Sequence, residues 1–261
     1  MFYWLLKRVV MGPLLRFFGR PVVTGKEHIP TSGGALIASN HLAVADSFYM
    51  PLVIKRRVTF PAKAEYFTTP GLKGKLMKFF FTSAGQVPIE RNSGTAAKAA
   101  LETCKKLLND GNLVGIYPEG TRSPDGRMYR GKTGVARMAI EAQVPVIPVA
   151  MVGTDKVNPP GTRRWRRARV EVHFGEPLDF SRYYQRTGDR RAEREITDEI
   201  MYELMELSSQ RYVDVYAARV KTVMERSGKS AAAVVADLTR KRVDPSRHIT
   251  VNVERIEQIA S

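Results

Sequence analysis

The chain has 261 residues, and its 42 Lys and Arg against 26 Asp and Glu give a net charge of +16. This length suffices for one domain with a hydrophobic core plus a short appendage, and the excess positive charge predicts a polyanionic partner: anionic lipid headgroups, nucleic acid or phosphate-bearing substrates. The single cysteine excludes an internal disulfide, and the four histidines and one cysteine show no spacing typical of a metal site.

The N-terminal segment, residues 1–19, is apolar and carries positive but no negative charge. Its cations are Lys7, Arg8 and Arg16, and a Gly-Pro pair lies at positions 12–13. A membrane-spanning helix needs about 20 mostly apolar residues, so the cations and the Gly-Pro pair argue against one. The segment also lacks the cleavage site of a secretory signal. We predict an interfacial helix that anchors the protein to a membrane surface, with packing of this helix on the protein's own core as the alternative.

Apolar runs then alternate with amphipathic helical patterns. The strand-like runs lie at 35–39, 58–60, 86–87, 113–117, 145–150 and 170–174. The helical patterns lie at 48–54, 71–81, 95–108, 134–141 and 197–224. This alternation is typical of an α/β fold with a largely parallel central sheet flanked by helices, whose sites lie at the strand ends. We assign residues 20–226 to this domain and 227–261 to a C-terminal tail with a helical pattern at 231–242.

His41 and Asp46 are candidates for acid–base chemistry. On one helix their side chains would point roughly 140° apart, so a turn must bring them together. Such a turn is expected, because His41 follows the strand at 35–39 while Asp46 and Ser47 are typical N-terminal caps for the helix at 48–54. A neighbouring carboxylate orients a histidine and stabilises the imidazolium formed when it accepts a proton. A strand-end histidine that only caps a loop is the alternative for so short a motif.

Four further blocks of sequence are residues 40–46, 85–91, 117–123 and 144–150. In residue content and in order they resemble the blocks of the glycerolipid acyltransferase family, specifically the 1-acylglycerol-3-phosphate acyltransferases. One position departs from the family, which often has Ser where this chain has Ala43, so the role of that hydroxyl is either absent or carried by Ser47. No G-x-S-x-G motif is present and Cys104 lies in a helical pattern, so we expect direct attack by a substrate hydroxyl rather than an acyl-enzyme.

The resemblance implies roles for particular residues. His41 would be the general base and Asp46 its orienting partner. The residues implied in substrate binding, chiefly of the phosphate, are Lys63, Arg91, Glu119, Gly120, Thr121 and Arg122. Guanidinium groups suit a phosphomonoester because they make paired charge-assisted hydrogen bonds, whereas Glu119 is expected to hold Arg122 or Lys63 in place and Gly120 to allow a tight turn.

The implied reaction transfers a fatty acyl group from acyl-CoA or acyl carrier protein to the free hydroxyl of 1-acylglycerol 3-phosphate, giving phosphatidic acid. Glycerol 3-phosphate or another lysophospholipid is the alternative acceptor. No cofactor and no metal are expected, and the expected location is the cytoplasmic face of the cell membrane, peripheral or monotopic, on anionic lipid. A basic nucleic-acid-binding protein is the alternative from another class, but the sequence shows no helix-turn-helix, zinc finger or RNP-like motif, and no specific nucleic acid is expected.

Two further stretches combine cations with apolar residues. Lysines alternate with apolar residues at 71–81, and five arginines surround Trp165 at 163–169. The first stretch is interpreted as a surface beside a lipid entrance or as core. The second suits lipid headgroups or a coenzyme A phosphate.

Overall fold

The structure is a computed structural model that describes residues 2–63, 65–72, 74, 75, 78, 82, 86–89, 94–162 and 164–243. Its strands are β1 (Val22–Thr24), β2 (Ala35–Ser39), β3 (Val58–Lys63), β4 (Gln86–Ile89), β5 (Leu113–Ile116), β6 (Met128–Tyr129), β7 (Val146–Val152), β8 (Glu171–Phe174) and β9 (Tyr212–Val213). Its α-helices are α1 (Phe2–Leu5), α2 (Gly12–Gly19), α3 (Asp46–Val53), α4 (Glu65–Thr68), α5 (Gly94–Asn109), α6 (Gly134–Ala142), α7 (Thr154–Val157), α8 (Arg190–Ser208), α9 (Ala217–Ser227) and α10 (Ala231–Val243).

Seven of the described strands form one sheet in the order β1, β8, β7, β2, β5, β3, β4. Neighbouring strands are parallel except for the antiparallel pair β7 and β8. The central strand β2 is buried along its whole length, as expected for a strand covered on both faces. The predicted α/β fold with a largely parallel sheet flanked by helices is confirmed.

Helices cover both faces of the sheet, and the alternation of side chains along β2 divides the core between them. Leu36 belongs to a buried cluster with residues of α5, α6 and α8. The next residue, Ile37, belongs to a second cluster with Leu15 of α2 and Tyr49 of α3. Successive strand residues point to opposite faces, so the continuous apolar run predicted for this strand serves two cores at once.

The N-terminal helix packs one side on the protein and exposes the other. α1 and α2 are joined by a π-helical stretch, Leu6–Met11. Leu15 is buried, and its carbonyl oxygen accepts a hydrogen bond from Tyr49 Oη at 2.8 Å. The opposite side exposes five large apolar side chains. These are Leu5, Val9, Val10, Leu14 and Phe17.

Packing on the core, the alternative considered for this segment, therefore applies to one face of the helix. Lys7 is also turned inward: its ammonium donates to the carbonyl of Ile54 and lies over the ring of Trp4. Burial, followed by repulsion from Arg8, lowers its pKa to about 8. Among the described residues, no helix is both long and apolar enough to cross a bilayer.

The single helix predicted over 197–224 is wrong. α8 ends at Ser208, and Ser209 adopts a left-handed conformation with φ of 55° that stops the helix. The chain then extends through β9, which pairs in parallel with β6, before α9 begins at Ala217. The physical reason is visible in the burial: Val213 and Val215 are buried on either side of an exposed Asp214, which is the two-residue period of a strand rather than that of a helix.

The first part of the predicted C-terminal tail packs against the domain. α9 and α10 form a hairpin around Gly228 and share a buried cluster with β6 and β9 that includes Tyr129, Val220 and Val234. The helical pattern expected at 231–242 is confirmed by α10, and the proposed boundary at residue 227 falls inside this hairpin.

The remaining predicted elements agree with the structure to within a few residues at their ends. The helical pattern at 71–81 lies mostly outside the described residues. Trp165 is half-buried between Phe18 and Phe48, at ring-centroid distances of 6.0 and 6.3 Å. The arginine-rich stretch at 163–169 thus anchors its tryptophan on the domain and leaves its described arginines exposed.

Candidate active site

The site forms where the carboxyl ends of β2 and β5 meet. These strands are parallel neighbours, with Ala38 opposite Ile116, so the residues that follow each strand lie side by side. His41 comes two residues after β2, and Tyr117 comes directly after β5. Their rings stack with centroids 3.8 Å apart and planes 9° from parallel. The fold therefore fixes the plane of the imidazole.

The predicted contact between His41 and Asp46 is present. His41 Nδ1 lies 2.8 Å from Asp46 Oδ2, and the same oxygen accepts the backbone N–H groups of Leu42 at 2.7 Å and Ala43 at 2.9 Å. An oxygen that already accepts two N–H bonds acts as an acceptor toward the ring as well, so Nδ1 carries the hydrogen. The other nitrogen, Nε2, is then left with a free lone pair.

The capping role expected of Asp46 is wrong in its direction. Asp46 is the first residue of α3, and the helix N-terminus has no side-chain cap. Its carboxylate instead closes the turn on the preceding side by binding the N–H groups of Leu42 and Ala43. The side chain of Asp46 is completely buried, whereas that of His41 is 16% exposed. The carboxylate is therefore shielded from solvent, while the imidazole remains accessible to a substrate.

Tyr117 joins the histidine turn to α3. Its hydroxyl lies 2.9 Å from Ser47 Oγ, and its ring stacks on that of His41. Burial, reinforced by the charge of Asp46, raises the pKa of Tyr117 well above its ordinary value, although the Ser47 hydrogen bond opposes this. Ala43 is fully buried and brings no hydroxyl to the turn, while the Ser47 hydroxyl is engaged by Tyr117.

Glu119 is a structural acceptor beneath the site. Its Oε1 accepts the backbone N–H of His41 at 3.2 Å, and its Oε2 accepts that of Tyr129 at 2.9 Å. Burial raises its pKa from 4.5 to about 8. The expected ion pair with Arg122 does not form among the described residues, because both carboxylate oxygens are directed at backbone N–H groups.

Backbone hydrogen bonds hold His41 on both sides. Its N–H is bound by Glu119, and its carbonyl accepts the N–H of Ser123 at 2.7 Å. Asn40 ties the same turn to β7: its Oδ1 accepts the N–H of Met151 at 2.7 Å, and its Nδ2 donates to the Met151 carbonyl at 2.9 Å. The first and third sequence blocks are thus bonded to each other, and the first is also bonded to Met151, one residue beyond the fourth.

Cationic side chains gather around residues 119–122. Gly120 has φ of 73°, a conformation that favours glycine, and the end of the Lys132 side chain lies about 3 Å from where a Cβ would be. Thr121 Oγ1 accepts a hydrogen bond from Lys221 Nζ at 3.0 Å. Arg122 is half-buried and forms no ion pair among the described residues. This loop is suited to binding an anion.

The other predicted binding residues are less fully described. Lys63 is the last residue of β3, and its register partner is Ile89 of β4. Arg91, two residues beyond β4, lies outside the described residues. Because β3 and β4 are parallel, the backbone of Lys63 lies at the end of β3 that corresponds to the carboxyl ends of β2 and β5. No group of three or more His, Cys, Asp or Glu within the described ranges is placed to hold a metal ion.

Sequence reasoning missed Lys132, Lys221 and Gln210, which the fold brings to this site. Gln210 accepts a hydrogen bond from Asn40 Nδ2 at 2.7 Å and donates to the carbonyl of Gly126. Lys221 is 100 residues from Thr121 in the chain, and no local pattern marks that contact. Lys132 follows the third block closely, and its basic neighbourhood was the only signal.

The α/β sheet thus brings together a histidine–carboxylate pair at one strand end and a cationic loop at the next, groups suited to acid–base chemistry beside an anion. The sequence profile of the Acyltransferase family matches residues 20–152. The chain belongs to this family, which confirms the resemblance carried by the four blocks.

Named relatives agree with this assignment. The 1-acyl-sn-glycerol-3-phosphate acyltransferase of Limnanthes alba is 30% identical over 173 residues, which cover 66% of this chain and 59% of the relative. The chain thus spans about three fifths of that protein's length. The enzyme of the same name from Bacillus subtilis (strain 168) is 28% identical over 167 residues, covering 63% of this chain and 77% of the relative.

A solved structure supports the fold. The crystal structure of the 1-acyl-sn-glycerophosphate acyltransferase PlsC from Thermotoga maritima superposes with a TM-score of 0.56 at 23% identity. The superposition covers 78% of this chain and 82% of that one, and so extends well beyond the 20–152 family match.

Proposed function

We propose that this protein transfers a fatty acyl group from acyl-CoA or acyl carrier protein to the free hydroxyl of 1-acylglycerol 3-phosphate, giving phosphatidic acid. The observation that carries the proposal is the His41–Asp46 contact, held by backbone bonds against a cationic loop. The names of the relatives support the same substrate class. The donor is itself a substrate, so the proposed step uses no cofactor.

The geometry supports a direct transfer without an acyl-enzyme. His41 Nε2 accepts the proton of the acceptor hydroxyl while the hydroxyl oxygen forms a bond to the thioester carbonyl carbon. The tetrahedral intermediate then collapses, the carbon–sulfur bond breaks, and the thiolate takes the proton from the imidazolium. Asp46 holds Nδ1–H throughout and stabilises the positive ring with its buried charge.

The cationic loop supplies recognition of the acceptor phosphate. A phosphomonoester carries between one and two negative charges near neutral pH, and a guanidinium binds two of its oxygens at once. Arg122 has a guanidinium free for that purpose among the described residues. The family resemblance adds Lys63 and Arg91 to the same group. Phosphate binding would place the acceptor hydroxyl near His41, because Ser123 in the same loop is bonded to the His41 carbonyl.

The location we propose is the cytoplasmic face of the cell membrane, with the N-terminal helix lying on anionic lipid. The exposed apolar side of that helix supports this, since its five side chains are 49–62% exposed. Arg167 lies over the ring of Phe17, 3.7 Å from its centroid, so positive charge adjoins the apolar surface. This combination is typical of an interfacial helix.

The decisive experiment is incubation of purified protein with labelled acyl-CoA and a set of acceptors, followed by location of the new ester bond. We expect 1-acylglycerol 3-phosphate to be acylated at its free hydroxyl. If only glycerol 3-phosphate is acylated, that compound is the acceptor instead. If the folded protein acylates no lysophospholipid, the proposal is refuted.

A matched pair of histidine variants tests the mechanism within that assay. His41→Ala should lower kcat by about 100-fold to 10,000-fold, the usual contribution of a general base. His173→Ala, on β8, is the control, because within the described part of the chain that ring bonds to Thr24 and Glu171 and lies away from the site. Equal turnover by the two folded variants would exclude His41 as the base.

A further inference from the structure

The C-terminal hairpin brings a lysine to the anion loop from a part of the chain outside the family match. Lys221 lies on α9, and its ammonium donates to Thr121 Oγ1 at 3.0 Å. The family profile ends at residue 152, so this contact joins the matched domain to a segment that the profile does not cover. A hydroxyl uses one of the three ammonium N–H groups and leaves two for another acceptor.

The position of Lys221 is fixed by the contacts around it. β9 pairs with β6, and the side chain of Arg130 forms an ion pair with Asp214 at 2.9 Å. Gln210 bridges Asn40 and the Gly126 carbonyl. These bonds tie the segment that leads into α9 to the loop that follows β5 and to the turn after β2.

Other cationic side chains lie close to this lysine. Within the described residues no carboxylate forms an ion pair with Lys132, Arg122 or Lys221. Burial lowers the pKa of Lys221, and repulsion from Arg122 lowers it further, although Glu119 and Glu225 oppose the change. Two like charges brought together in a half-buried position destabilise the fold unless an anion neutralises them. The cluster therefore suits a ligand with more than one negative charge.

We infer that Lys221 is a substrate-binding residue that, together with Arg122, binds a phosphate monoester. This inference rests on the proposed function, in which two substrates carry that chemistry: the acceptor phosphate and the 3′-phosphate of coenzyme A. The acceptor is favoured by position, because the loop that holds Thr121 and Arg122 is bonded directly to both sides of the His41 peptide.

The test uses Lys221→Gln, Lys221→Arg and, as a matched control, Arg219→Gln, which removes an exposed cation from the same helix. We expect Lys221→Gln to raise the KM for 1-acylglycerol 3-phosphate about 10-fold to 100-fold, as loss of a hydrogen bond to a charged group does, with kcat changed less than threefold. Lys221→Arg should recover most of the affinity, and Arg219→Gln should behave as wild type. Should Lys221→Gln not fold, Lys221→Met keeps the aliphatic stem and carries the same test.

Donor kinetics identify which phosphate is bound. If Lys221→Gln raises the KM for acyl-CoA and the difference from wild type disappears with acyl-dephospho-CoA, the site binds the coenzyme A 3′-phosphate. An unchanged KM for both substrates overturns the inference. So does a loss of kcat alone that Thr121→Val reproduces, because Lys221 would then only position the loop.

A binding measurement separates failure of this inference from failure of the proposed function. Calorimetric titration with glycerol 3-phosphate and with inorganic phosphate needs no turnover. If wild-type protein acylates no acceptor, the proposed function fails, yet weaker binding of these probes to Lys221→Gln than to Arg219→Gln would still establish the phosphate site. Equal binding by the two variants would exclude it.

Discussion

Asp46→Asn is the substitution that most directly tests the proton-transfer geometry. Asp46 Oδ2 accepts three hydrogen bonds, from His41 Nδ1 and from the backbone N–H groups of Leu42 and Ala43. An asparagine keeps all three only if its carbonyl oxygen takes the Oδ2 position. Its NH₂ group then occupies the place of Oδ1, which is buried without a hydrogen-bond partner among the described residues.

The magnitude follows from this geometry. The carbonyl of asparagine still accepts the Nδ1–H bond, so the tautomer of His41 survives, but the negative charge that stabilises the imidazolium is lost. Charge-assisted hydrogen bonds are roughly twice as strong as neutral ones, so we expect kcat to fall about 100-fold to 1,000-fold, less than for His41→Ala. The unpaired buried amide should cost about 1–3 kcal/mol of stability, or roughly 2–4 °C of Tm per kcal/mol.

The assay is kcat at saturating donor and acceptor, measured beside circular dichroism and a thermal melt. Asp198→Asn is the matched control, since that aspartate is about half exposed on α8 and pairs with Arg194. A folded Asp46→Asn enzyme whose kcat stays within threefold of the Asp198→Asn value would show that the buried carboxylate has no part in the reaction.

Three further outcomes are expected. Arg122→Ala should raise the acceptor KM about 10-fold to 100-fold with little effect on the donor KM. Arg122→Lys should restore only part of the acceptor affinity, because an ammonium lacks the planar fork of a guanidinium. A change confined to the donor KM would contradict this prediction. The fold raises the pKa of Glu119 from 4.5 to about 8, so its contribution to the free energy of unfolding is complete below pH 4.5 and is lost as the pH rises to about 8. The difference is roughly 5 kcal/mol and should be detected by denaturant titration at several pH values. Glu119→Gln should remove this pH dependence. Replacing both Leu14 and Phe17 with serine should reduce flotation with anionic vesicles, since each apolar side chain contributes about 1.5–3 kcal/mol when buried. The control Tyr202→Ser, which removes an exposed aromatic from α8, should float as wild type does. If the double variant floats as well as the control, the membrane anchor lies elsewhere.

Local patterns in the sequence were enough to predict the central strands of the sheet and the turn between His41 and Asp46. The strand at 35–39 is apolar at every position because both of its faces are covered, and such a run is recognisable without tertiary information. The contact between His41 and Asp46 followed from the same logic, since a strand end and a helix start separated by four residues require a turn. Both predictions depend on residues close together in the chain.

The predictions that failed depend on distant contacts. The apolar positions of α8 continue into Val213 and Val215 without a proline or glycine between them, so the break at Ser209 is set by pairing of β9 with β6 rather than by composition. Glu119 was expected to hold Arg122 or Lys63; the pair with Arg122 does not form among the described residues, and the side chain of Lys63 lies outside them. The actual partners of Glu119 are backbone N–H groups that only the fold places there.

In the proposed mechanism, the loop after β5 couples phosphate recognition to proton transfer. On one side Glu119 and Ser123 bind the backbone of His41, and on the other Lys221 reaches Thr121 from the C-terminal hairpin. In the acceptor, the free hydroxyl is only a few covalent bonds from the phosphate. Binding of the phosphate in this loop would therefore also position the hydroxyl that reacts. A disturbance of the C-terminal hairpin should therefore lower catalytic efficiency without touching His41, because the loop that it supports sets where the acceptor hydroxyl lies.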